Sequence, residues 1–105
     1  MNLYRKLYLG VFLALFISGL AFAAPDIAAG KEKAGMCFAC HGAAGNSKNP
    51  NFPILAGQKP AYLVNQLRAF RKGTRENSMM QNMAANLSDA EINNLAAFFA
   101  SVKNI

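Results

Sequence analysis

Cys37-Phe38-Ala39-Cys40-His41 constrains the fold more than any other stretch, because it holds both cysteines and the only histidine of a 105-residue chain. Whatever these three side chains do, they do it without another Cys or His to recruit. A structural zinc site needs four ligands, and this cluster supplies three. A thioredoxin-like dithiol would sit where a helix follows a strand, yet no strand-like run precedes Cys37. A plain disulfide is open to an exported chain. Joining Cys37 to Cys40 closes only a very short loop, however, which removes little unfolded-state entropy and leaves His41 without a role.

The remaining reading uses all three residues at once. Two thiols add to the two vinyl groups of one heme, and the next residue offers its imidazole to the iron; Cys-x-x-Cys-His is the signature of this covalent c-type attachment. Such attachment takes place after export, and the N-terminal segment reads as an export address. Arg5 and Lys6 precede the apolar run Leu7 to Leu20, and Ala21-Phe22-Ala23 has the small-x-small pattern that a signal peptidase cuts. We therefore expect residues 1–23 to be a cleaved signal peptide and 24–105 a single domain. A retained membrane anchor is the competing reading of the same run.

Residues 24–105 contain nine Lys and Arg against five Asp and Glu, a formal charge of +4. The whole chain is 53% hydrophobic and 15% charged, which excludes a disordered polar chain. A domain this short has a thin core and commonly gains stability from an internal ligand. The expected ligand is one covalently bound heme c.

Helical periodicity recurs around the motif, and no segment sustains a two-residue alternation, so the fold class expected is all-α. Asp26 can cap a helix from Ile27 to Met36 that leads into the heme-binding turn. Pro60 suits the start of a second helix ending at Gly73, with Leu63, Leu67 and Phe70 on its buried face. Ser88-Asp89-Ala90-Glu91 is a capping box, opening a helix that buries Ile92, Leu95, Phe98, Phe99 and Val102. Gly42 to Lys59 reads as a loop over the imidazole side of the heme. The carbonyl of Pro53 could accept the second ring N–H of His41 and so fix its orientation, or Pro53 could be a turn proline and nothing more.

Lacking a second His, the sixth iron ligand should be a thioether, and Met79, Met80 and Met83 are the candidates. At least two of the three are then ordinary core fillers. Arg75 and Lys59 could neutralise heme propionates or could be plain solvated cations.

Taken in order, these features resemble a class I cytochrome c, in particular the small domain that occurs singly in short periplasmic cytochromes and twice in diheme cytochromes of the c-four type. The resemblance covers nearly all of 24–105. It rests on Cys37-Phe38-Ala39-Cys40-His41-Gly42, Gly45-Asn46-Ser47, Asn51-Phe52-Pro53, Leu55-Ala56-Gly57-Gln58, Tyr62-Leu63, Gln66-Leu67, Phe70-Arg71, Gly73, Arg75, Leu87-Ser88-Asp89 and Leu95-Ala96-Ala97-Phe98-Phe99. It implies about four helices wrapped around one heme, terminal helices crossing near Gly30 and Phe98, and an exposed heme edge. It also selects Met80, seven residues before Leu87, as the distal ligand, with Met79 as the choice if the register shifts by one.

The function implied is a periplasmic, bacterial one-electron carrier rather than an enzyme, because His41 and Met80 together leave the iron no open position. Its partners would be redox proteins with acidic docking patches, steered by the surface Lys and Arg. Nucleic acid is not expected as a partner of an exported protein. Membrane contact would come only through membrane-bound redox partners or an uncleaved signal. An alternative in the same chemistry is a heme subunit permanently bound to a periplasmic dehydrogenase or oxidase. If no methionine coordinated, a gas-binding heme would become the reading.

Overall fold

The computed structural model describes residues 24–105; the expected signal segment 1–23 lies outside the described residues. Among the described residues four α-helices carry the fold, α1 Ile27–His41, α2 Pro60–Lys72, α3 Ser78–Ala84 and α4 Asp89–Ser101, with one 3-10 turn at Ala43–Gly45. Among the described residues there is no strand, and no helix is long and apolar enough to cross a membrane.

Helix α1 starts as its sequence dictates, the Asp26 carboxylate accepting the N–H of Ala29 at 3.0 Å. It does not stop at Met36. Nothing between Met36 and His41 breaks a helix, so the backbone ladder continues to Gly42, whose N–H closes it on Phe38 O. The motif expected in a turn is therefore the last turn and a half of α1.

Helix α4 crosses α1 at Gly30, where backbone meets backbone. A Cβ on Gly30 would lie 2.6 Å from the Asn94 carbonyl carbon and 3.0 Å from Phe98 Cβ, so only glycine permits this approach. The crossing is fastened at its rim. The Asp26 N–H donates to Asn94 Oδ1 at 2.8 Å, and Lys33 Nζ pairs with Glu91 Oε2 at 2.8 Å. The Lys33 ammonium and the Ser88 backbone N–H together hold the Glu91 carboxyl down at about 2. Glu91 also completes the capping box, with Ser88 Oγ accepting the Glu91 N–H and Glu91 Oε1 accepting that of Ser88.

The core is built from Ala34, Leu63, Phe70, Leu87 and the inner face of α4: Ile92, Leu95, Ala96, Phe98 and Phe99. The periodicity places this face correctly with one exception. Val102 is not a helical core residue but the C-cap, extended (φ −81°, ψ 135°) and half-buried, because the ladder ends at Ser101. Leu67 is likewise half-buried, packed at the margin of the core.

The 42–59 segment is ordered by long-range bonds. Gly45 O accepts from the backbone N–H groups of Leu55 and Ala56, and Gly57 N–H donates to Phe99 O at 2.9 Å. Asn46 donates to Lys103 O and accepts from Ile105 N–H, at 3.1 Å each. Gly45, at φ 82°, packs its Cα side against the Phe99 ring, where a Cβ would come within 2.7 Å. The loop is thus pinned to the end of α4.

Candidate heme site

Extending α1 to His41 has a direct chemical result. Cys37, Cys40 and His41 stand at positions i, i+3 and i+4 of one helix, hence on one face. Cys37 is half-buried against the core and Cys40 is exposed; both thiols are free. Burial pushes the Cys37 thiol pKa up, the nearby Cys40 adds to this, and Lys33 opposes it.

His41 is only 7% exposed, and its Nδ1 lies 2.8 Å from Pro53 O. A carbonyl oxygen can only accept, so Nδ1 is the donor of this bond and Nε2 is the ring nitrogen left for another partner. The ring also meets Phe52 edge-on, with centroids 6.2 Å apart at 64°. Metal-binding imidazoles are commonly oriented by such a bond from the ring nitrogen that does not face the metal.

The three methionines are not equivalent. Met80 is half-buried and packs against the core cluster that also receives Cys37, whereas Met79 is 56% and Met83 38% exposed. All three belong to α3, a two-turn helix that the periodicity leaves unread because two turns carry too little pattern. Its cap residue was legible. Asn77 is a favoured N-cap type, and its Oδ1 accepts the Met80 backbone N–H at 3.0 Å. Asn77 and its partner Gln81 are absent from the sequence-derived set.

Arg75 is exposed and doubly engaged. Its Nη1 donates to Gln66 Oε1 at 2.6 Å, and its guanidinium sits 4.5 Å from the Phe70 ring centroid. Lys59 is exposed at the N-cap of α2.

The donor set fits an iron porphyrin: two thiols and an imidazole on one helical face, a soft thioether on another element of the same core, and apolar margins at Leu55, Val64 and Leu67. Among the described residues no group of three or more Cys, His, Asp and Glu is arranged to hold a lone metal ion. The arrangement is that of a small all-α protein built around an attached heme.

Residues 27–103 match the family model described as cytochrome c. The chain belongs to the cytochrome c family; it is an electron-transfer protein whose cofactor is one covalently bound heme c. Cytochrome c4 of Pseudomonas aeruginosa is 49% identical over 99 residues, covering 94% of this chain and 49% of that protein. The crystal structure of reduced recombinant cytochrome c4 from Pseudomonas stutzeri matches with a TM-score of 0.74 at 41% identity, over 78% of this chain and 48% of that one. Thiosulfate dehydrogenase (TsdBA) from Marichromatium purpuratum matches with a TM-score of 0.73 at 34% identity, over 79% of this chain and 20% of that one. The chain thus spans about half the length of the cytochromes c4 it matches. These likenesses agree with the all-α class I fold and with the resemblance to single cytochrome c4 domains.

Proposed function

We propose that this chain is a periplasmic one-electron carrier in which Cys37 and Cys40 hold the heme through thioethers and His41 and Met80 are the axial ligands. The observation that carries this reading is the 2.8 Å contact from His41 Nδ1 to Pro53 O, which engages one ring nitrogen and leaves Nε2 as the other, on a residue that shares a helix face with both cysteines. When bound, the heme supplies a one-electron couple. The chain's own contribution is to hold still. Pro53 O orients the imidazole, Phe70 and Leu67 contribute apolar packing, and Met80 would be supplied by a separate helix, α3. His41 and Met80 would both hold the iron, which would leave it no open position for a substrate and suits a carrier rather than an enzyme.

Partners are redox proteins with acidic docking surfaces, matched to the net charge of +4 over residues 24–105. Arg75, held over Phe70, and Lys59 stand on exposed positions of α2 and the turn after it, as cations suited to balance propionates. An absorption spectrum of the periplasmically matured protein tests the reading. A c-type reduced spectrum together with the weak far-red sulfur-to-iron band in the oxidised form supports it. A c-type spectrum lacking that band removes Met80 as ligand.

A second reading is favoured by the likeness to the thiosulfate dehydrogenase TsdBA. In it the same domain is the heme-bearing part of a larger electron-transfer assembly. Copurification separates the two: a stoichiometric catalytic partner supports the subunit, and a free monomer supports the shuttle.

A further inference from the structure

Met80 is tied to the chain by more than its own side chain. It is the third residue of α3, so its backbone N–H is one of the amides at a helix start that lack an intrahelical acceptor. The Asn77 carboxamide supplies one, Oδ1 to Met80 N at 3.0 Å. The tie is reciprocal: Asn77 N–H donates to Gln81 Oε1 at 3.2 Å, and Gln81 N–H donates to Asn77 O at 2.8 Å. Upstream, the segment leading into Asn77 is clamped to α2. Thr74 and Arg75 donate their N–H groups to Ala69 O, and the Arg75 guanidinium is held by Gln66 and Phe70. The first turn of α3 is therefore fixed from the α2 side, and the fixed amide is that of the proposed ligand itself.

We infer that Asn77 is a positioning residue for the Met80 thioether, its side chain holding the Met80 amide and so setting how readily the sulfur is displaced from heme iron. This rests on the reading of Met80 as the sixth ligand. Neighbouring Met79 and Met83 receive no such side-chain tie, and both are more exposed than Met80. Without the carboxamide the first turn of α3 loses its acceptor, the Met80 backbone gains freedom, and an external ligand competes more easily for the iron. The effect is local to α3. The capping box of Ser88 and Glu91 is a comparable tie on α4 and serves as the control, because it touches neither Met80 nor the 74–77 segment.

The test is titration of the oxidised holoprotein with imidazole, followed by loss of the far-red band, alongside urea unfolding. Asn77→Ala should lower the half-saturating imidazole concentration about fivefold, the equivalent of one lost N-cap. Asn77→Ser, which keeps a capping oxygen, should restore it. Ser88→Ala should lower the urea midpoint to a similar extent and leave imidazole binding unchanged. Should Asn77→Ala fail to mature, Gln81→Ala removes the acceptor of the Asn77 N–H and should move imidazole binding in the same direction. Equal imidazole shifts in Asn77→Ala and Ser88→Ala, or no shift in either Asn77→Ala or Gln81→Ala, overturn the positioning role. Met80→Ala separates this from the underlying assignment. If the far-red band survives in Met80→Ala the ligand reading is wrong, and if it vanishes there while Asn77→Ala binds imidazole like the parent, only the positioning role is wrong.

Discussion

Replacing Gly30 by Ala should unfold this protein at a distinctly lower urea concentration, although alanine is the better helix former. Two terms oppose each other. Alanine in place of glycine within a helix is worth about 0.5–1 kcal/mol in favour of the variant. Against it, the new methyl would occupy space 2.6 Å from the Asn94 carbonyl carbon and 3.0 Å from Phe98 Cβ. Overpacking costs about 1–3 kcal/mol where side chains can shift, and here the obstruction is the backbone of α4, so the upper end applies. The net loss is about 2 kcal/mol, which for a domain with a urea slope near 1 kcal/mol/M moves the midpoint down by about 2 M. The assay is helical circular dichroism of the holoprotein against urea. Gly35 on the same helix is the internal control, since a Cβ there meets nothing within 4 Å. Gly35→Ala should raise the midpoint by the propensity term alone. If Gly30→Ala and Gly35→Ala moved the midpoint in the same direction, the backbone-to-backbone crossing would not be what glycine is for at position 30.

Other expectations can be checked on the same holoprotein. Met80→Ala should abolish the far-red band and open the iron to carbon monoxide in the reduced form, whereas Met79→Ala and Met83→Ala should do neither. Glu91 has a folded-state pKa held at about 2 against an ordinary 4.5, so its stabilising contribution is complete above the ordinary value and is lost as pH falls toward 2. Glu91→Gln should therefore flatten the fall in urea midpoint across that acid window and leave the shape of the curve above it unchanged. Gly45→Ala combines a left-handed backbone (φ 82°) with a clash against the Phe99 ring, and should cost about 2–4 kcal/mol in urea unfolding. An unchanged midpoint in that variant would mean that the loop does not bear on α4.

Much of this architecture was readable before any coordinates. The starts of α1, α2 and α4 follow from Asp26, Pro60 and Ser88, because capping is a local interaction between residues two or three apart. The inner face of α4 follows from spacing alone up to Phe99. Errors appear where the deciding physics is not local. Helix α1 runs on to His41 because no residue between Met36 and Gly42 stops it, and treating the motif as a turn gave it a boundary that its residues do not encode. Val102 has the right period but follows the last ladder bond. Helix α3 is too short for periodicity to register, and its one legible signal, the N-cap Asn77, went unused. The 42–59 segment is held by bonds from Asn46 and Gly57 to residues some forty to sixty positions away, and no composition rule reports those. Within the site, the sequence placed Pro53 in the loop beside His41; the side-chain exposures that distinguish Met80 from Met79 and Met83 needed the packed structure.

The fastening of the 42–59 loop to the tail of the chain gives the imidazole a remote anchorage. Pro53 O is carried on a span whose two flanks, at Asn46 and Gly57, are tied to the backbone at Lys103, Ile105 and Phe99. The orientation of the His41 ring is thereby linked, through Pro53, to residues some sixty positions further along the chain. Cutting those ties would free the flanks of the loop and loosen the hold of Pro53 O on Nδ1, with neither His41 nor Pro53 having been altered. Substitutions at Asn46, whose side chain makes the bonds to Lys103 and Ile105, should therefore be felt at the Pro53 side of His41.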